Sequence, residues 1–245
     1  MTKVVGIIPA RWGSTRFPGK PLHGIAGKPL IQHVWERCIE AGCFQQIIIA
    51  TDDMRIAEVC FGFGAEITLT SPDHQSGTDR IAEVAAKLKK TSLIFNIQGD
   101  EPLIDPSLLQ RLVRKIKNDK RIKIITAATP ISPDASLNEH NVKVVLDSAG
   151  DALYFSRSRI PFQRAESKVE LYKHLGIYGY RRMTLLDFVN LPPGILEQAE
   201  QLEQLRALEN GVKIRVIVSE SNSIGVDTPE DATEAERLIL SRRNG

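Results

Sequence analysis

Short apolar runs alternate with amphipathic stretches through the first half of the chain, and this alternation constrains the fold most strongly. Strand-like runs begin at Val4 and recur at residues 46–51, 66–70, 92–98 and 123–130. The stretches between most of them carry apolar residues at helical spacing. A strand–helix–strand rhythm of this kind predicts an α/β fold with a doubly wound, mostly parallel sheet.

The rhythm changes after the fifth strand-like run. Two further runs, at residues 142–147 and 152–157, are separated only by the residues SAGD, which is typical of a hairpin. We therefore expect one domain over residues 1–245 with a small antiparallel insertion at about 131–185. Hairpin-like strands leave an edge that a second copy can cover, so we expect this insertion to form a homodimer.

The last third of the chain returns to strand and helix patterns. Residues 175–180 have the character of a strand, and residues 195–210 read as one amphipathic helix that stops at Asn210-Gly211. Residues 213–219 form the last predicted strand. Thr228 is a helix N-cap followed by Pro at the first helical position and by acidic residues, so the chain is expected to end in a helix.

Charge and cysteine content exclude several classes of function. The 245 residues contain 32 Lys and Arg against 30 Asp and Glu, a net charge of +2. Such a balance gives no reason to expect nucleic acid or a membrane as a partner. The three cysteines are odd in number and lack a CxxC spacing, which disfavours a disulfide framework and a zinc site. With no leader-like or membrane-length apolar run in the sequence, we expect a cytoplasmic protein.

The segment VVGIIPARWGSTRFPGKP, from Val4 to Pro21, joins a buried strand to a cationic loop. Arg11, Arg16 and Lys20 supply three positive charges, and the loop contains no acid. Glycines that turn backbone N–H groups inward make such a loop suitable for a polyphosphate, and we favour this over a loop of solvated cations. It is not a P-loop, because its glycine spacing is one residue too long and Pro21 replaces the magnesium-binding hydroxyl. A metal must therefore be held elsewhere.

Two acids follow strand-and-glycine segments that are far apart in sequence. Asp100 comes directly after a buried strand in NIQGDEP, and Asp227 precedes a helix start in GVDTPED. Each alone could be an ordinary turn or helix-end acid. In a parallel sheet both reach the same crevice at the carboxyl ends of the strands, where two carboxylates suit a hard cation.

Arg80 lies in the first turn of a predicted helix, in the motif SGTDR. A cation there opposes the helix dipole by a few tenths of a kcal/mol, about 0.3 or more, so an anionic ligand accounts for it better than helix stability does. Helix N-termini of this kind bind anions readily.

A second group of polar residues follows in KHLGIYGY. His174, Gly176 and Tyr178 are spaced to share one face of a strand. A lone His is more often structural than catalytic. With the cations of FSRSR, which includes Arg157, this face could meet a substrate carboxylate.

The glycine pattern of the sequence does not match a dinucleotide-binding motif. Gly62 and Gly64 begin a GxGxxG-like pattern, but Ile67 occupies the third glycine position and the pair precedes a strand. A hydride-transferring Rossmann enzyme is therefore disfavoured.

The motifs together resemble those of a known family. IIPARWGSTRFPGKPL, ATDD, DHQSGTDR, NIQGDEP, NVKVVLD, ALYFSRSRIPF, KHLGIYGY, LEQLRAL and GVDTPED are similar, in this order and over nearly the whole chain, to the motifs of 3-deoxy-manno-octulosonate cytidylyltransferases. The resemblance implies a fold of the nucleotide-diphospho-sugar transferase type, transfer of CMP from CTP to the acid sugar Kdo for lipopolysaccharide biosynthesis, a Mg²⁺ cofactor and a dimer.

The resemblance also implies roles for individual residues. Those on the nucleotide would be Ala10, Arg11, Arg16, Lys20, Gly77 and Arg80. Those on the sugar acid would be Gln98, Arg157, His174, Tyr178, Glu203 and Gln204. Asp100 and Asp227 would bind magnesium and, with Lys20, form the catalytic set.

Other readings stay open at this point. A cytidylyltransferase for 8-amino-Kdo or a sialic-type acid would keep the loop and the two acids and change the lining of the sugar site. A non-catalytic nucleotide-binding module would keep the loop but lose the acids, and both acids are present. No side chain is an obvious general base; His174 is one candidate, and a metal-lowered hydroxyl pKa makes a dedicated base unnecessary.

Overall fold

The structure is a computed structural model that describes residues 2–13, 17–164, 169–220 and 223–243. The chain divides into two compact units, one of residues 1–113 with 221–245 and the other of residues 114–220. Within the described residues, none of the helices combines the length and apolar character that crossing a membrane requires.

The first unit is built on a parallel sheet whose strand order is β6-β1-β4-β5. Its strands are β1 (Val4–Ala10), β4 (Gln46–Thr51), β5 (Glu66–Leu69) and β6 (Leu93–Asn96). β1 pairs in parallel with both β4 and β6, and its apolar side chains from Val4 to Ile8 are fully buried. This burial explains the continuous apolar run at the start of the sequence.

Helices and a small hairpin complete this unit. The two-stranded hairpin consists of β2 (Gly24–Ile25) and β3 (Lys28–Pro29). The helices are α1 (Leu30–Ala41), α2 (Met54–Gly62), α3 (Gly77–Lys87), α4 (Pro106–Asn118), which continues into the second unit, and α8 (Pro229–Arg243). Ala232, Ala235 and Ile239 of α8 share a buried cluster with Ile25 and Leu30, so this helix packs over the segment that follows the cationic loop.

The second unit contains the predicted antiparallel strands. They are β7 (Ile124–Ile131), β8 (Lys143–Leu146), β9 (Ala152–Ser156), β10 (Leu171–Arg181) and β11 (Ile214–Val218). β7 pairs in parallel with β11 and antiparallel with β10, and β8 pairs antiparallel with β10 and β9. Its short helices are α5 (Arg182–Phe188), α6 (Ile195–Glu200) and α7 (Gln204–Glu209).

The α/β class with a mostly parallel sheet is confirmed, as are the β8–β9 hairpin and the final helix. The single domain over residues 1–245 and the dimerisation segment at about 131–185 stay predictions.

The single helix expected over residues 195–210 is wrong. The chain forms two short helices, because Gln201 adopts a left-handed φ of 53°. The N–H of Leu202 donates to the carbonyl of Glu197 at 3.2 Å, which is the Schellman pattern that ends a helix and buries the following apolar residue. Two hydrogen bonds from Arg206 to Glu197, at 2.5 and 2.8 Å, then tie α7 to α6.

Candidate functional site

A cavity of about 260 Å³ opens at the carboxyl ends of β1 and β6 in the first unit. Its walls come from the ends of these strands, the start of α3, the Lys20 turn and Asp227, two residues before α8. The lining residues are Pro9, Ala10, Arg11, Lys20, Pro21, His74, Gln75, Ser76, Gly77, Arg80, Gln98, Gly99, Asp100 and Asp227. We call it the strand-end cavity.

Lys20 joins the two predicted metal acids inside this cavity. Its Nζ lies 2.7 Å from Oδ2 of Asp100 and 3.1 Å from Oδ1 of Asp227. The backbone N–H of Val226 donates to the carbonyl of Asp100 at 2.8 Å, so the segments that carry the two acids are tied together directly. Burial opposes the charge on Lys20, but both carboxylates favour it, and the net effect raises the pKa of Lys20 above its usual value.

This arrangement fits a divalent cation. Both carboxylates already converge on one positive charge, and carboxylate oxygens are the ligands that Mg²⁺ prefers. In the part of the chain that the structure describes, no cluster of three or more His, Cys, Asp or Glu side chains could hold a metal. Two carboxylates, with phosphate oxygens and water, are a normal set for Mg²⁺.

Arg80 is held by protein partners at the edge of the cavity. It is 3% exposed, and its guanidinium contacts Oγ1 of Thr70 at 2.5 Å and Oδ1 of Asp52 at 3.2 Å. The capping box of Ser76 and Asp79 begins α3 and fixes the turn from which Arg80 projects. Because Asp52 balances its charge, the position of Arg80 in the first helical turn does not by itself require an anionic ligand.

Gly99 allows a close approach of two backbone segments. A Cβ atom built there would lie 2.9 Å from the carbonyl oxygen of Pro9. A glycine at the end of a strand often marks the close approach of a ligand or of another backbone segment. In the structure it makes room for the end of β1, and this contact sets the position of the turn that carries Asp100.

The other residues predicted to bind the nucleotide fall into two groups. Ala10, Arg11 and Gly77 line the strand-end cavity, and their role in nucleotide binding stays a prediction. Arg16 lies outside the described residues.

The predicted sugar residues fall in both units. Gln98 lines the strand-end cavity, whereas the other five belong to the second unit. Glu203 occupies the N-cap position of α7 without a capping hydrogen bond from its side chain, and Gln204 is the first residue of the helix. Arg157 follows β9, and its Nε donates to the carbonyl of Glu200 at 2.9 Å.

His174 and Tyr178 lie together on β10. Their ring centroids are 5.2 Å apart, although a register shift between Leu175 and Tyr178 removes Gly176 from the regular ladder. Burial, with a smaller effect of the Lys173 ammonium, lowers the pKa of His174 to about 3. Burial is also the main reason that the pKa of Tyr178 lies well above its usual value.

Some residues that organise these groups were not predicted. Asp52 is the third residue of the ATDD motif and directly follows β4, so its place at a strand end was a usable signal. Thr70 and Thr126 carry no such signal, because each is a hydroxyl residue at or within an apolar strand. Their contacts to Arg80 and His174 appear only in the structure.

Comparisons with known proteins define the class. A family model described as "Cytidylyltransferase" matches residues 5–214. A solved structure of CMP:2-keto-3-deoxy-manno-octonic acid synthetase complexed with CTP is 41% identical, with a TM-score of 0.95 over 98% of this chain and 100% of that one. The 4-diphosphocytidyl-2C-methyl-D-erythritol synthase of Anaerococcus prevotii, 13% identical with a TM-score of 0.66, shares the fold over 98% of this chain and 99% of that one. The chain therefore matches the cytidylyltransferase family model and has the fold of that class.

Curated relatives narrow this class. A 3-deoxy-manno-octulosonate cytidylyltransferase of Syntrophobacter fumaroxidans is 51% identical over 94% of both chains. Proteins of the same name from Syntrophotalea carbinolica and Myxococcus xanthus are 48% and 47% identical; the first match covers 95% of this chain and 97% of the relative, the second 98% of both. The chain belongs to the 3-deoxy-manno-octulosonate cytidylyltransferase family, which confirms the resemblance read from its motifs.

Proposed function

We propose that this protein is the enzyme that transfers CMP from CTP to 3-deoxy-D-manno-octulosonate (Kdo). The anomeric hydroxyl oxygen of Kdo attacks the α-phosphorus of CTP, the bond to the β-phosphate oxygen breaks, and pyrophosphate and a proton are released. The product CMP-Kdo would serve lipopolysaccharide biosynthesis. The observation that carries the proposal is the convergence of Lys20, Asp100 and Asp227 in the strand-end cavity of a chain of this family.

Magnesium is part of the proposal. Asp100 and Asp227 would hold the ion, which supplies positive charge to the phosphates and lowers the pKa of the attacking hydroxyl. Lys20 and Arg11 line the same cavity, so their charges favour binding and orientation of the polyphosphate. Ala10 and Gly77 line this cavity too, whereas Arg16 is assigned to the nucleotide by family resemblance alone.

Family resemblance assigns six residues to the binding of the sugar acid. They are Gln98, Arg157, His174, Tyr178, Glu203 and Gln204. The competing proposal is a related acid sugar, either 8-amino-Kdo or a sialic-type acid.

A substrate panel tests the proposal. Pyrophosphate release is measured with CTP and magnesium and, in separate reactions, Kdo, 8-amino-Kdo and N-acetylneuraminate, and then with Kdo and each of the other three ribonucleoside triphosphates. We expect the highest kcat/KM with CTP and Kdo together. A higher value with another acid would replace Kdo, and equal rates with all four nucleotides would refute the cytidylyltransferase assignment.

We also infer a homodimer in the cytoplasm. Large apolar side chains of the second unit are exposed, among them Leu153 at 61% and Phe162 at 87%, and both lie within the predicted dimerisation segment. Large exposed apolar patches mark protein–protein interfaces. Cys38, Cys43 and Cys60, all among the described residues, form no disulfide, which is compatible with a reducing compartment.

A further inference from the structure

A bulge in β10 leaves backbone carbonyl groups that need hydrogen-bond donors from outside the regular strand ladder. Leu175 pairs with Ala127, and the next paired residue, Tyr178, is opposite Thr126, so Gly176 and Ile177 are extra residues in the strand. Bulged residues leave the regular ladder, and their carbonyl groups need other partners.

Thr126 meets this demand from the facing strand. It is fully buried, and its Oγ1 lies 2.7 Å from the carbonyl oxygen of Ile177 and 3.2 Å from that of Leu175. The same Oγ1 lies 3.0 Å from Nε2 of His174. One hydroxyl therefore has three close polar neighbours.

Proton counting fixes the direction of these bonds. The two carbonyl oxygens can only accept, and the threonine hydroxyl has a single proton to give. An oxygen–oxygen contact of 2.7 Å needs that proton, so the hydroxyl donates to the Ile177 carbonyl. Oγ1 must then accept from His174, which places the imidazole proton on Nε2 and leaves a lone pair on Nδ1.

His174 and Tyr178 each have a polar side-chain atom without a hydrogen-bond partner among the described residues. Nδ1 of His174 has no hydrogen-bond partner among the residues that the structure describes. The hydroxyl of Tyr178 is also without a partner there, and this residue is 8% exposed. Phe155 packs against the imidazole at 5.1 Å, and the backbone N–H of His174 donates to the carbonyl of Val142 at 2.8 Å, so the ring is held in place. A buried polar group left unmatched, as the Tyr178 hydroxyl is, costs free energy that a bound ligand recovers.

We propose that Thr126 is a positioning residue that holds His174 as the Nε2–H tautomer, so that Nδ1 accepts a hydrogen bond from a hydroxyl group of the sugar acid. This inference rests on the proposed function and sharpens it. The sequence had suggested that His174 joins cations that meet a carboxylate; a neutral ring with a free acceptor selects a hydroxyl donor instead. The low pKa of His174, caused mainly by burial, supports the neutral ring.

Nitrogen NMR of the full-length protein with ¹⁵N-labelled imidazoles tests the tautomer directly. The chain has five histidines, and His174→Gln identifies the signals of His174 by their loss. We expect a protonated Nε2 and an unprotonated Nδ1 in the wild-type protein. Thr126→Val, which keeps the shape and removes the hydroxyl, should abolish this preference, and Thr126→Ser should restore it.

Kinetics test the consequence for the substrate. Thr126→Val should raise the KM for Kdo roughly tenfold, the effect of one weakened hydrogen bond, and leave the KM for CTP unchanged. Thr126→Ser should return the KM for Kdo to the wild-type value. A general structural defect would move both KM values and would not separate them.

The inference is overturned if wild-type His174 carries its proton on Nδ1, or if Thr126→Val keeps both the wild-type spectrum and the wild-type KM for Kdo. If Thr126→Val fails to fold, the wild-type spectrum and Thr126→Ser still decide. Failure of the proposed function gives a different result: the wild-type enzyme releases no pyrophosphate with Kdo, whereas the tautomer is read from the free protein.

Discussion

Lys20 lies between two carboxylates in the strand-end cavity, where we propose that the polyphosphate of CTP binds. We expect Lys20→Ala to lower kcat/KM for CTP by about tenfold or more, because a charge-assisted contact is worth roughly 1.5–3 kcal/mol. The control is Lys28→Ala, which removes an ion pair with Glu36 (2.7 Å) outside the cavity and should leave kcat/KM unchanged. Steady-state kinetics that match the wild type in the Lys20 variant would remove this residue from the catalytic set.

Asp100 and Asp227 are predicted to act as a unit. Asp100→Asn and Asp227→Asn keep the side-chain shape and remove charge, so each should lose most activity at any magnesium concentration. The double variant should be scarcely worse than either single variant, since groups that hold one ion are not additive. Asp119→Asn, at an exposed ion pair with Arg121, is the matched control. Losses that multiply in the double variant would show that the two acids act separately.

The sequence predicted the residues of the candidate site better than it predicted the residues that hold them in place. Asp100 and Asp227 could be placed together because both follow strand-and-glycine segments of a parallel sheet. The support of Arg80 by Asp52, and that of His174 by Thr126, depends on contacts across strands and helices. Such contacts leave no local pattern, because a buried hydroxyl in a strand looks like any other β-branched residue.

At the scale of elements, the turn after β6 depends on a glycine. We expect Gly99→Ala to push against the carbonyl of Pro9, displace Asp100 and lower kcat at least tenfold, with a stability loss of about 1–3 kcal/mol. Gly62→Ala, where an added Cβ meets nothing within 4 Å, is the control and should retain both activity and stability. Chemical denaturation and kinetics on the same samples check both parts. A fully active Gly99→Ala enzyme would contradict the tight approach of these segments.

The sequence predicted most helices and strands to within a few residues, and its errors have physical causes. β10 begins at Leu171, four residues before the predicted strand. The charged segment VELYK, residues 169–173, shows no clear strand pattern, although its last three residues pair with β7 and β8. The helix expected over residues 195–210 breaks because Gln201 accepts a left-handed conformation that is usual for glycine. In both cases tertiary contacts outweigh local propensity.

At the scale of the whole molecule, we expect a dimer. Leu153→Lys on the β8–β9 hairpin should shift the protein toward the monomer, because a charge would be buried in the proposed interface. The control is Ile39→Lys, at a position 53% exposed on α1 of the other unit. Light scattering at micromolar concentration measures both variants. A strictly monomeric wild-type protein would end the dimer proposal, and a dimer unaffected by Leu153→Lys would place the interface elsewhere.

The class of the whole molecule was predictable because the strand–helix rhythm, the acid-free loop and the two strand-end acids are all local patterns. The register shift of β10 was not predictable, and neither were the contacts of Asp52 with Arg80 and of Thr126 with His174. All of them depend on how distant segments of the chain meet.

Phosphorus NMR of the complete reaction tests the central claim most directly. With CTP, magnesium and Kdo, the three CTP signals should give way to one phosphodiester signal and the signal of pyrophosphate in equal molar amounts. Omission of Kdo should leave CTP intact. Release of inorganic phosphate or pyrophosphate without Kdo, or the absence of a new phosphodiester signal when all three are present, would contradict CMP transfer to this acid sugar.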